Sequence, residues 1–397
     1  MPTLTRETTP FKEHTYWSGV FAMTLCVFVL IASEFMPVSL LTPIATDLGV
    51  SEGLAGQGVA ISGALAVLTS LSLSTLAGDL NRKYLLLGMT ALMALSATIV
   101  ALASSYLIYM AGRALIGIAI GGFWSMSAAT ALRLVPQHMV SRALAIFNGG
   151  NALATVVAAP LGSYLGAVIG WRGAFFCLVP VAIVAFIWQC FSLPTMTADK
   201  NTGAGGSVIR LISRPAVAVG LFACGLFFMG QFSLFTYVRP FLETVTQVDI
   251  RALSLILLTI GVAGFIGTLI ISTFLRASLY STLAAIPLLM AAITAVLILT
   301  GHNVWMVAPL LGLWGLMATA APTGWWTWIA HTLPDDAETG GGLMVAVIQL
   351  SIALGSTLGG LAFDYTGWQS TFALSGGLLL AATGMTILTS RKTHHAH

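Results

Sequence analysis

The chain has 397 residues, 57% of them apolar, and carries only 16 Lys or Arg and 13 Asp or Glu. An average soluble chain of this length carries roughly a hundred charges, so a water-facing globular surface is excluded and lipid is the expected solvent. A net charge of +3 over 41.5 kDa makes no basic stripe for nucleic acid, and the composition also excludes disorder and a disulfide-built secreted domain.

Crossing the hydrocarbon of a bilayer takes about 20 mostly apolar residues in a helix. Twelve such stretches follow one another, at 17–45, 53–77, 84–103, 106–134, 143–168, 173–193, 215–241, 252–274, 280–300, 304–330, 340–363 and 370–390. The fold class expected is an all-α membrane protein of twelve transmembrane helices in two homologous six-helix bundles. The first run is too long for a cleavable signal peptide and is expected to stay as the first crossing. Cys26, Cys177, Cys190 and Cys224 lie in apolar stretches without Cys-x-x-Cys spacing and read as packed thiols.

The longest polar interruption holds Asp199, Lys200, Arg210 and Arg214 and divides six stretches from six. The expected organisation is a tail over 1–16, a bundle over 17–193, a linker over 194–214, a second bundle over 215–390 and a tail over 391–397. No Gly-Lys pair exists from which to build a P-loop, so direct coupling to ATP hydrolysis is not expected. With the N-terminus inside, twelve basic residues fall on cytoplasmic segments, and only Arg172, Arg239 and Arg251 fall outside. That asymmetry predicts cytoplasmic termini.

Sliding the chain by 197 residues places Leu161, Gly162, Gly170, Trp171 and Phe175 on Leu358, Gly359, Gly367, Trp368 and Phe372. At the same offset Phe35 and Pro43 fall on Phe232 and Pro240, with Glu34 opposite Gln231, while Pro136 meets Pro334 after a one-residue gap. Two homologous halves in one orientation suggest a transporter, in which paired bundles rock about a midplane site.

The residues themselves then point to a family. Gly78-Asp79-Leu80-Asn81-Arg82-Lys83 follows the second stretch, Arg113 is followed by Gly117 and Gly121 in the fourth, and Ala159-Pro160-Leu161-Gly162 lies in the fifth. These segments resemble the loop signature and the two antiporter motifs of the major facilitator superfamily, in its twelve-span drug/proton antiporter branch. Glu34-Phe35-Met36-Pro37-Val38-Ser39-Leu40-Leu41-Thr42-Pro43, Gly121-Gly122-Phe123-Trp124-Ser125-Met126-Ser127-Ala128 and Gly170-Trp171-Arg172 are similar to bacterial purine ribonucleoside efflux permeases and their sugar-efflux relatives. Tyr237-Val238-Arg239-Pro240 and Gly324-Trp325-Trp326-Thr327-Trp328-Ile329 resemble the nucleoside exporters more. The resemblance implies proton-driven export of purine nucleosides from the cytoplasm; an inner-membrane monomer without cofactor or metal is expected.

Away from the helix ends only Glu34 and Arg113 carry formal charge within the crossings, and an intramembrane charge is expected to face the bundle interior or water. Counting helical rise puts Glu34 about 26 Å and Arg113 about 33 Å from the cytoplasmic face, close enough for long side chains to meet. Two readings stand: Glu34 as a proton carrier switched by Arg113, or a permanent pair that fixes helix register. Cargo-binding candidates at midplane depth are Phe35, Trp124, Ser125, Asn148, Asn151, Gln231, Tyr237, Trp314 and Gln349, because aromatic faces stack on a base while amides and hydroxyls bond its edges and the ribose.

Trp17, Trp171, Trp305 and Trp368 read as interfacial anchors, as do Trp325, Trp326 and Trp328 over a stacking role. Asp79, Arg82 and Lys83 are candidates for an inner gate, and Asp335, Asp336 and Glu338 for its counterpart or a solvated loop. His331 reads as interfacial. A passive facilitator, a sugar exporter and a multidrug pump remain alternatives on the same fold. A membrane-embedded enzyme is disfavoured, since no His-Glu-x-x-His motif or deeply placed His is present.

Overall fold

A computed structural model describes residues 16–77, 80–136, 139–196, 210–333 and 337–394. Among them the chain is helical: α1 (Trp17–Ser39), α2 (Leu41–Leu48), α3 (Glu52–Ala77), α4 (Arg82–Ala101), α5 (Tyr106–Leu134), α6 (Val140–Phe176), α7 (Leu178–Ser192), α8 (Pro215–Phe235), α9 (Val238–Thr244), α10 (Ile250–Ala277), α11 (Leu279–Thr300), α12 (Val304–Thr332), α13 (Ala337–Thr366) and α14 (Trp368–His394). Eleven apolar helical stretches among the described residues are long enough to cross a bilayer. One of them, Gly149–Ser192, runs 44 residues, twice what a crossing needs. Gly170 breaks it with φ 78, ψ 162, a backbone conformation that only glycine takes without strain. The stretch is therefore two crossings, and the total is twelve.

The internal offset of 197 reappears in the backbone. Gly170 and Gly367 both take positive φ, 78 and 90, each just before the Trp of the next helix. Leu40 (φ −117, ψ 10) and Tyr237 (φ −107, ψ 16) both interrupt the first helix of their half. The uninterrupted stretches expected at 17–45 and 215–241 are thus each two helices. Pro37 lies in the last turn before the first break. Pro43 and Pro240 each fall at the third residue of the short helix that follows, where a missing N–H costs no intrahelical bond.

Packing repeats in the same way. In the first half α1 lies on α6 and α7, α3 on α5, and α4 on α5 and α7; in the second, α8 lies on α13 and α14, α10 on α12, and α11 on α12 and α14. The halves meet through α3 against α13 and α6 against α10, two contacts that exchange under the pseudo-twofold. Glycines set the closest approaches. A Cβ on Gly117 would lie 2.8 Å from Ser62 Cα, and one on Gly121 2.9 Å from Ala66 Cα, so α5 lies directly on the α3 backbone.

Among the described residues, one group of hydrogen bonds joins the halves at the end away from the termini. Ser51 Oγ and Gly53 N both donate to the Asp364 carboxylate, Gln57 Oε1 accepts from Thr357 Oγ1 at 3.0 Å, and Ser254 Oγ donates to Ser163 Oγ at 3.1 Å. Arg239, ion-paired with Glu243 at 2.8 Å, donates to the carbonyl of Ser39 at the broken end of α1. That end of the seam is sealed.

Candidate functional site

Glu34 and Arg113 are 3% and 1% exposed at the middle of the bundle, where α1, α3 and α5 converge. They meet, but not as an ion pair. Arg113 Nε donates to Gly58 O (3.0 Å), Nη1 to Ser33 O (2.6 Å), and Nη2 to Glu34 O (3.3 Å) and Ser62 Oγ (3.2 Å). The guanidinium fork thereby ties α5 to α1 and α3, and its contact with Glu34 is to the backbone carbonyl. The carboxylate instead accepts from Gln349 Nε2 of α13 at 3.3 Å, a bond across the seam between the halves. The register-fixing pair imagined from the sequence is in this geometry a register-fixing arginine, with the acid left to a neutral partner.

One residue on, Phe35 lines a cavity walled by residues of both halves. Its walls are Phe35 from α1, Thr155 and Ala159 from α6, Gln231, Phe232 and Phe235 from α8, Ile260 and Gly261 from α10, and Trp314 and Thr319 from α12. Phe35 stacks on Phe232, with ring centroids 5.8 Å apart, and meets Phe235 edge-on at 6.5 Å. Gln231 Oε1 and Trp314 Nε1 are buried and have no protein partner. An aromatic enclosure with an amide and an indole still to be satisfied suits a flat, polar, ring-bearing molecule.

Of the other cargo candidates, several stand elsewhere. Tyr237 is fully buried; its hydroxyl donates to Ser356 O at 2.8 Å, its ring stacks on Phe363, and it packs against Gly56 and Gly360. It seals the seam rather than lining the cavity. Trp124 packs edge-on to Phe123, exposed Ser125 donates to Gly122 O at 3.0 Å, and half-buried Asn151 lies on α6 four residues before Thr155 without joining the cavity wall. The side chain of Asn148 lies outside the described residues.

Other sequence expectations change for a common reason: neighbours close in sequence do not decide what a helix end touches. Asp79, Asp335 and Asp336, with the side chain of Glu338, lie outside the described residues. Lys83 Nζ donates to Cys190 O at 2.8 Å, near the C-terminal end of α7, where a cation meets the negative end of the helix dipole. That bond is internal to the first half. Arg82 starts α4, and its N–H donates to Met196 O. Trp325 and Trp328 are 2% and 0% exposed and pack edge-to-face in the second half's core, so they are not interfacial anchors, whereas Trp326 is exposed. Trp171 is buried too, its indole donating to Asp47 at 3.3 Å.

Residues 23–350 match the model of the Major Facilitator Superfamily. The chain belongs to that family. A relative from Pseudomonas aeruginosa PAO1, named transcription regulatory protein OpdE, is 65% identical over 378 residues, 94% of each chain. The purine ribonucleoside efflux pump NepI of Salmonella paratyphi C is 42% identical over 364 residues, covering 92% of this chain and 91% of its own. Among solved structures, a bacterial homolog of the human lysosomal transporter Spinster, inward-facing and unoccupied, superposes with a TM-score of 0.75 at 16% identity, covering 95% of this chain and 97% of that one. A variant of the nucleoside transporter NupG gives 0.75 at 11% identity over 94% and 98%.

This member of the superfamily is thus a multi-pass inner-membrane transporter and not an enzyme. Its sequence reading missed Phe232 and Phe235 in the cavity wall, although Phe232 stands opposite Phe35 at the 197-residue offset. Asp364 and Gln57 at the sealed end carried no signal, and Arg239 stood out only as a basic residue and motif member; their partners, some 200 to 313 residues away, give them their role.

Proposed function

We propose that this transporter exports purine ribonucleosides from the cytoplasm in exchange for protons, with both termini cytoplasmic. The observation that carries this reading is a buried carboxylate, Glu34, one residue before Phe35, whose ring walls a cavity with Phe232, Phe235, Trp314 and Gln231. The rings offer faces to a base, the amide and indole offer bonds to its edge, and the acid supplies a site for one proton. The name of the 42% identical relative, a purine ribonucleoside efflux pump, supports the cargo. The excess of basic residues on the terminus side supports the orientation. With that orientation, the sealed end of the seam is the periplasmic one.

The name of the 65% identical relative favours a second reading, in transcriptional control. A twelve-crossing chain of net charge +3 carries no excess of basic charge for gripping DNA, which disfavours direct DNA binding.

Transport into inside-out vesicles under an imposed pH gradient tests the proposal, with inosine, adenosine, arabinose and a cationic dye compared side by side. Gradient-driven accumulation of the nucleosides is the expected result; accumulation of the dye or of arabinose alone overturns it.

A further inference from the structure

Gln349 looks from its sequence position like a cargo ligand, yet it is absent from the cavity wall and is 7% exposed beside Glu34. Its backbone is fixed there: a Cβ on Gly63 of α3 would lie 2.7 Å from the Gln349 carbonyl, so the two helices touch at this height. Its Nε2 donates to Glu34 Oε1 at 3.3 Å, while its own Oε1 is buried and accepts nothing. An amide carries a donor and an acceptor on one rotatable plane, a carboxylate only accepts, and a carboxylic acid does both.

We propose that Gln349 is a positioning residue for proton coupling, the group through which the second half reads whether Glu34 is protonated. This inference rests on the proton-exchange reading above. With Glu34 ionised, the amide gives one hydrogen bond, from Nε2 to the carboxylate. When a proton from solvent binds the carboxylate, the new O–H donates to Gln349 Oε1, the acceptor that now lacks a partner, and Nε2 can still donate to the other acid oxygen. One bond across the seam becomes two, and the relation of α1 to α13 depends on the proton.

The surroundings leave this task to the amide. Arg113, from α5, is the charged group that faces Glu34, and it is committed to the carbonyls of Ser33, Glu34 and Gly58 and to Ser62 of α3. Tyr109, on α5 one turn from Arg113, donates to Ala55 O at 3.4 Å. From α13 the polar group that meets Glu34, Gln349, is neutral. Among the described residues no carboxylate pairs with Arg113. Protonation of Glu34 therefore has its cross-seam reader in Gln349.

The test uses the full chain in proteoliposomes with Gln349→Met, which keeps volume and removes the amide, and Gln349→Asn, which keeps an amide too short to reach. Inosine counterflow without a pH gradient should keep its KM within about twofold, whereas accumulation driven by a pH gradient should fall at least about fivefold in both variants. The infrared carboxyl stretch that disappears in Glu34→Gln should move to higher wavenumber in Gln349→Met, a signature that needs no cargo.

A raised KM with the coupling ratio intact makes Gln349 a cargo ligand and overturns the inference. Proportional loss of both activities with an unmoved carboxyl stretch makes it structural and also overturns it. Full coupling in Gln349→Asn does the same. Counterflow without gradient-driven accumulation in the wild type defeats proton exchange itself, a result distinct from coupling that survives in the variants.

Discussion

At the scale of single residues, Arg113 and Glu34 divide two tasks that a simple ion pair would merge. The guanidinium satisfies three carbonyls and one hydroxyl on two neighbouring helices, a fork that a lysine ammonium cannot reproduce. Arg113→Lys should leave buried carbonyls unpaired at about 1–3 kcal/mol each, measured as a lower unfolding temperature in detergent micelles. Glu34→Gln keeps shape and removes the titrating group, so nucleoside counterflow should persist while pH-gradient-driven accumulation disappears; uphill transport in that variant would remove Glu34 from the proton path. Under the proposed function, a base stacked on Trp314 would gain about 0.5–1.5 kcal/mol. Trp314→Ala should therefore raise the counterflow KM up to about tenfold. The intramembrane charges were legible in the sequence because each stands alone in an apolar run; their partners were not, because Gln349 is 315 residues from Glu34.

At the scale of elements, the sealed end is held by charges from the second half placed on helix ends of the first. Asp364 lies at the N-terminus of α3, through Ser51 and Gly53, and Arg239 at the C-terminal carbonyls of α1. Each sign matches the helix dipole it meets. Asp364→Asn should weaken closure by about 0.3–1 kcal/mol. That shifts the closed-to-open ratio up to about fivefold, read as longer spin-label distances between α3 and α13 at that end. The glycine stripe acts differently, since Gly117 and Gly121 let α5 rest on the backbone of α3. Gly117→Leu should force those helices apart and lower the yield of folded protein, with the loss seen in size-exclusion profiles. The stripe was plain in the sequence as a four-residue spacing. The helix breaks at Leu40 and Tyr237 were signalled by Pro37, Pro43 and Pro240 but hidden by the unbroken apolar run around them.

At the scale of the whole molecule, the pseudo-twofold governs packing and not chemistry. Gly162 lies against Met36, and its counterpart Gly359 against Ser233, one offset of 197 serving both contacts. With the one-residue gap, however, Arg113 corresponds to Leu311, fully buried among apolar side chains. The acid and arginine belong to one half, and much of the cavity wall, from α8, α10 and α12, to the other. A reporter fused to the C-terminus should be fluorescent as a cytoplasmic green protein and inactive as a periplasmic phosphatase; the opposite pair of results reverses the orientation.

By itself the sequence determined the solvent, the twelve crossings, the duplication and the two intramembrane charges, because lipid demands long apolar helices and makes every exception visible. Only the tertiary structure decided which face of each helix lines the cavity, the seam or the outer surface. Core and bilayer are equally apolar, so a helix such as α8 carries no polar stripe to mark its inside. For that reason Tyr237 seals a seam, Trp325 and Trp328 lie in a core, and Gln349 reaches the acid of the other half.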